Sequence, residues 1–187
     1  MDVRKKNNSG KNREFIPETL KIAIGLGNRG ENYRATYHNA GFLALDDFSG
    51  RVPENEWRKS KNFVFLKSGR IILAKPTVFM NESGKAAKQA LAYFKIKPEN
   101  MILIHDDSDI EIGDFKIAFG RGAAGHRGVS SVIDALKTKD FWRARLGVRH
   151  RPGKAGNFVL KKISRDDEDK LKDAFTRLGK ILSEETD

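Results

Sequence analysis

No cysteine occurs anywhere in the 187 residues. Disulfides, thiolate metal sites and thiol nucleophiles are therefore excluded, and the composition fits a reducing, cytoplasmic setting. Histidine is nearly as scarce. His38, His105, His126 and His150 are the only four, so any imidazole chemistry falls on one of them. No apolar run approaches the roughly 20 residues that span a bilayer. The opening residues, MDVRKKNNSGKNR, lack the apolar stretch of a secretory signal. There is no internal repeat and no low-complexity tract. With 39% hydrophobic residues, the chain fills one core and is too short for two comfortable ones.

Positive charge, by contrast, is in excess. The net charge is +11, of which residues 1–13 carry +4 and residues 161–187 carry −1, leaving +8 in the body between them. A basic tail is often only a solvated leader, but here most of the excess lies in the folded part. The expected partner is a polyanion. Nucleic acid is favoured over a membrane because no basic amphipathic helix stands out.

Residues 1–18 are polar and read as a disordered basic extension, with 19–187 as the folded domain. Lys21–Ile24 reads as a buried strand. Asn39, a good N-cap residue, opens a helix carrying Phe42, Leu45 and Phe48 at helical spacing. NFVFLKSGRIILAKP reads as two strands turning at Lys67–Arg70. ESGKAAKQALAYFKI is helical. MILIHDD is an apolar strand ending in acids, DFKIAFG a further strand and VSSVIDALK a helix. RARLGVRHR alternates, with Ala144, Leu146 and Val148 on one face and Arg143, Arg145, Arg149 and Arg151 on the other. A last helix starts at Asp166 with acidic residues, as its dipole favours. Strands interleaved with helices predict an α/β fold: a single domain with a mixed, mostly parallel central sheet flanked by helices.

Gly25, Gly27 and Gly30 in GLGNRG have the G-x-G-x-x-G spacing of a dinucleotide loop. That loop works because a helix starts at the glycines and offers free N–H groups to a pyrophosphate. Here ENYRATYHN follows, without apolar periodicity until Asn39. The acid expected about 20 residues on falls inside the helix, as Asp46 and Asp47. The glycines are read instead as a tight turn projecting Asn28 at the carboxyl end of a strand, where open α/β sheets place their ligands.

Other polar residues belong to the same level. Thr77–Asn81 follows one strand and His105–Asp107 ends another. If these strands are parallel neighbours, all three ends face one cleft, with His38 above it. One imidazole, one carboxylate and two carboxamides make a minimal general-base hydrolase. His38 would take a proton from water and Asp106 would hold its other nitrogen. Asn28 and Asn81 would orient water, carbonyl or oxyanion. No cofactor or metal is called for, since D-S-D-I-E lacks calcium-loop spacing, and no G-x-S-x-G elbow supplies a serine nucleophile. His126, between glycines at a helix start, reads as a cap or a packing group beneath the cleft. His105 reads as structural, and His150 is assigned nothing.

GLGNRGENYRATYHNAG, KPTVFMNESG, HDDSDIEIG and GHRGVSSVIDAL occur in the order and at the spacing of a known family. Together they resemble the bacterial-type peptidyl-tRNA hydrolases, from about Lys21 to Leu182. The resemblance implies a small monomeric α/β enzyme without a cofactor. It would hydrolyse the ester joining a peptidyl group to the terminal ribose of tRNA, recycling tRNA from stalled translation. Carried over by position, His38 is the base, Asp106 its stabilising carboxylate, and Asn28 the residue that distinguishes blocked from free aminoacyl groups. Asn81 binds substrate, Phe79 and Met80 line the cleft, and Tyr33 contacts the tRNA end. Arg145 matches a phosphate-contacting arginine. Where the family has Pro and Asn, this chain has Arg29 and Arg127; Arg127 either contacts phosphate or points elsewhere. A phosphate-binding lysine of the family aligns near Ala118, leaving Lys116 or Arg121 as substitutes. The competing reading is a non-catalytic RNA-binding protein on the same scaffold, against which stands the retention of all four polar residues.

Overall fold

Ile22, Ala23 and Ile24 have no polar side chain to leave exposed, and the chain buries them at the centre of its sheet. In the computed structural model, which describes residues 14–50, 52–149 and 157–183, they form strand β1 (Ile22–Gly25). The other strands are β2 (Arg58–Lys59), β3 (Phe63–Ser68), β4 (Ile71–Pro76), β5 (Met101–Glu111), β6 (Phe115–Phe119) and β7 (Trp142–Arg149). They form one sheet in the order β2-β3-β4-β1-β5-β7-β6.

The expected mixed sheet is found, with its parallel part confined to the middle. β1 pairs parallel with β4 and β5, and β5 parallel with β7. The pairings of β2 with β3, β3 with β4, and β6 with β7 are antiparallel. Parallel pairs are thus half of the total rather than most: at one edge β2, β3 and β4 follow one another through short turns, which makes them antiparallel, and at the other β6 runs antiparallel to β7, with α3 in the connection between them. The hairpin read at Lys67–Arg70 is present, with Gly69 at positive φ in a two-residue turn.

Period-two alternation divides the core between the two faces. Ala23, Ile102, Ile104, Ala144, Leu146 and Val148 pack under α1 (Ala40–Phe48) and α4 (Arg165–Ser183). Ile22, Ile24, Met101 and Leu103 pack under α2 (Ser83–Phe94) and α3 (Arg127–Leu136). None of the helices among the described residues is long and apolar enough to cross a membrane.

Three expectations change. Of the extension set at 1–18, residues 1–13 lie outside the described residues, whereas residues 14–18 do not hang free. Phe15 meets Trp142 edge-on at 4.9 Å, and Pro17–Thr19 form a helical turn. β5 does not stop at its acids but runs through them to Glu111, because β7 continues alongside and supplies the hydrogen bonds, with an irregularity after Asp107. Asn39 does not cap α1 with its side chain; that carboxamide is used elsewhere. His150 and Arg151 lie outside the described residues.

Candidate active site

The parallel pairing of β4, β1 and β5 brings three strand ends to one side, and the glycine turn shapes their junction. A side chain on Gly25 would put its Cβ 2.3 Å from the carbonyl oxygen of Gly41, and one on Gly27 would strike the ring of Phe42. Gly30 stands at φ 99° with open space around it, a conformation that favours glycine. The spacing therefore serves a close approach between the end of β1 and the start of α1, and not a helix N-terminus waiting for pyrophosphate.

That approach lets Asn39 reach back to the turn. Its Oδ1 accepts the backbone N–H of Asn28 at 2.8 Å, and its Nδ2 donates to the Asn28 carbonyl at 3.0 Å. Asn28 in turn accepts the backbone N–H of Met80 through Oδ1 at 2.9 Å. With the amide oxygen committed inward, Nδ2 is the group left to donate to a ligand. Asn81 follows Met80 in the turn that precedes α2 and is exposed, as is Phe79, whose ring lies under the Arg29 guanidinium at 4.9 Å. Met80 itself is buried, so its side chain backs the cleft instead of lining it. Tyr33, half-buried, ends the helical turn Glu31–Tyr33 between Asn28 and His38.

His38 lies in a helical turn at Tyr37–Asn39, immediately before α1. Its Nδ1 is 2.9 Å from Oδ1 and 3.1 Å from Oδ2 of Asp106. Asp106 is buried on β5 and accepts a second imidazole, Nε2 of His126, at 3.0 Å. Burial alone would push this carboxyl up. The hydrogen bonds from His126 and His38 instead hold it well below the usual carboxylate range, so it is an anion throughout the working pH range. An anionic acceptor requires His38 to carry its proton on Nδ1, which leaves the Nε2 lone pair for a substrate proton.

The tautomer of His126 is fixed from its other side. Nδ1 accepts the backbone N–H groups of Gly128 and Val129 at 3.1 and 3.2 Å, capping α3, so the proton sits on Nε2. His38, Asp106 and His126 each offer one ligand atom, all within 4.8 Å of one another. A cation on His126 Nε2 would drive the ring proton onto Nδ1 and against two donors. The donor set therefore suits hydrogen bonding and not a metal ion without loss of the cap.

His105 is buried, its Nδ1 donating to the Asp106 carbonyl at 2.7 Å and its Nε2 unpartnered. Burial, helped by nearby His126 and Arg143, lowers its pKa to about 3, so it is neutral and structural, as read. The arginines of β7 are not one exposed stripe. Arg143 is 2% exposed with Nε unpartnered. Burial first, then Arg145, brings its pKa down to about 10. Arg145 donates through Nε to Asp107 at 2.6 Å, and the exposed Lys116 faces it across β6 and β7. Arg127 is the exposed first residue of α3.

Two residues of this constellation were missed as site residues by sequence reasoning. Asn39 adjoins His38 and its type suits a cap, which hid its role as a clamp on Asn28. His126 carried the signal of a cap, which it is, but not of its bond to Asp106, which lies 20 residues away in sequence.

The sequence model of the peptidyl-tRNA hydrolase family matches residues 22–186. The chain is 34% identical over 174 residues to the peptidyl-tRNA hydrolase of Mycoplasma capricolum, covering 89% of this chain and 93% of that protein. It is 37% identical over 170 residues to that of Neisseria meningitidis serogroup A, covering 87% and 88%. The crystal structure of peptidyl-tRNA hydrolase from Acinetobacter baumannii superposes with a TM-score of 0.74 over 89% of this chain and 90% of that one, at 23% identity, and so speaks for the fold.

Proposed function

The chain belongs to the peptidyl-tRNA hydrolase family, and we propose that it hydrolyses the ester between a peptidyl group and the 3′-terminal ribose of tRNA with His38 as general base. The observation that carries the residue assignment is the Nδ1 contact of His38 with an ionised, buried Asp106. His38 Nε2 removes a proton from water as the water oxygen bonds to the ester carbonyl carbon. The imidazolium formed is stabilised by Asp106. Asn28 Nδ2 and the Asn81 carboxamide donate to the carbonyl or to the oxyanion it becomes. Collapse breaks the bond to the ribose oxygen, which takes the proton back from His38. The products are a peptide with a free carboxylate and tRNA with a free 3′ end.

The basic body attracts the substrate. Arg127 and Lys116 are exposed for phosphate contact, and Arg145 retains its terminal N–H groups beyond the Nε bonded to Asp107. Tyr33, Phe79 and Asn81 hold the acceptor end, and Met80 serves through the N–H that orients Asn28. The enzyme acts as a monomer in the cytoplasm and uses no cofactor.

The test is release of an N-acetylated amino acid from tRNA by the purified protein, with free aminoacyl-tRNA and a His38→Ala variant alongside. Cleavage of the blocked substrate only, abolished in the variant, is expected. Tight, salt-sensitive tRNA binding without cleavage would make the protein an RNA binder instead.

A further inference from the structure

Asp106 is held by two imidazoles, and the reaction above uses one. The second, His126, is an uncommon choice for a helix cap, where Ser, Thr, Asp and Asn serve best. Any of those four would satisfy the N–H groups of Gly128 and Val129. None would be long enough to do so and also deliver an N–H to Asp106. Imidazole does both, through opposite sides of one rigid ring.

We propose that His126 is a positioning residue for the general base: its Nε2–H holds the Asp106 carboxylate in the plane that faces His38, and its Nδ1 ties that plane to the first turn of α3. The proposal rests on the general-base reading of His38. A carboxylate bonded to His38 alone could rotate about its last bond and carry the imidazole with it. Donors from two separate elements, both directed at Oδ1, remove that freedom. The groups facing His126 are Asp106 and His105 of β5 and His38 of the preceding turn, with its ring centre 4.8 Å from His105 and 5.0 Å from His38. Arg143 lies beyond His105. Arg127, next in sequence and exposed, shares the capped turn. A phosphate held by Arg127 is therefore linked through His126 to the aim of the base.

Two substitutions separate the cap from the aim. His126→Asn offers an oxygen where Nδ1 stood and keeps the cap, but is too short for Asp106. His126→Gln can present an amide N–H near the position of Nε2 but gives up the cap. With N-acetyl-aminoacyl-tRNA as substrate, His126→Asn should melt within a few degrees of the parent. Its kcat should fall about 10- to 100-fold, the scale of a misaimed catalytic group, with KM little changed. The acid limb of its kcat/KM profile should move to higher pH, because Asp106 with one donor fewer attracts the His38 imidazolium more strongly. His126→Gln should melt lower yet keep more of kcat than His126→Asn. Parental kcat and pH profile in His126→Asn would reduce His126 to a cap and overturn the proposal. So would losses of kcat that follow melting temperature in both variants. If His38→Ala retains activity, the general-base reading has failed instead.

Discussion

Arg143 offers a test in which removing a charge strengthens the protein. Its side chain is 2% exposed, its Nε is unpartnered, and among the described residues no carboxylate forms an ion pair with it. Burial, then repulsion from Arg145, lowers its pKa from 12.5 to about 10. At neutral pH that displacement corresponds to roughly 3 kcal/mol of penalty for keeping the guanidinium charged in the fold. Methionine keeps an unbranched apolar stem of similar reach and drops the charge. Some packing is lost, so Arg143→Met should stabilise by about 1–3 kcal/mol, a rise of about 2–12 °C in melting temperature for a chain of this size. Thermal unfolding and urea titration at pH 7 measure it. Arg145→Met is the control and has the opposite sign, since it strips Asp107 of its partner. A melting temperature for Arg143→Met equal to or below that of the parent would show that the buried guanidinium is compensated, and the reasoning would fail.

Asp106→Asn should lower kcat by about 100- to 10,000-fold. The charge-assisted bond to the imidazolium is lost, and an amide NH₂ at the Oδ2 position meets the Nδ1–H of His38; single-turnover deacylation reads this out, and a loss under tenfold would contradict it. Folding stability should fall as the pH drops from about 6.5 toward 3, because unfolded chains protonate His105 in that window while the fold keeps it neutral. The contribution is at most about 1.4 kcal/mol per pH unit, and His105→Gln should flatten the slope of urea midpoints over that range. Gly25→Ala drives a Cβ to 2.3 Å from a backbone oxygen, so it should cost about 1–3 kcal/mol and also reduce kcat by moving Asn28. Lys116→Ala should reduce the slope of log affinity for tRNA against log salt by about 1, measured by fluorescence anisotropy between low and moderate salt.

How much of this was legible in the sequence follows from what each signal depends on. β1, β5 and β7 were readable because local patterns carry them: continuous apolar residues at the centre and strict alternation in Trp142–Val148. The cleft was readable because consecutive strand ends carry its polar residues, and parallel pairing does the rest. Burial of Arg143 was not readable, because alternation assigns a face but not what covers it. The extension of β5 through its acids was also hidden, since acidic residues are poor strand formers and only pairing with β7 keeps them extended. The cap read at His126 is present, but its bond to Asp106, like the clamp of Asn39 on Asn28, was hidden for one reason. Both sit at helix starts, where a local role explains the residue type, and the local explanation conceals a partner far along the chain.

Those two residues also explain how the cluster around Asp106 holds its geometry. Asn39 grips the backbone of Asn28 through both its N–H and its C=O, and His126 adds a second imidazole donor to the Asp106 oxygen that His38 also contacts. Each tether ends on backbone N–H or C=O groups, which move less than side chains. The direction of every proton in the cluster follows from them. Gly128 and Val129 fix the proton of His126 on Nε2, that proton and the His38 Nδ1–H together keep Asp106 ionised, and ionised Asp106 keeps the His38 Nε2 lone pair free. The tautomer lock that makes His38, Asp106 and His126 a poor cage for a cation is thus the same property that, of the ring nitrogens in these three groups, leaves the His38 Nε2 lone pair free.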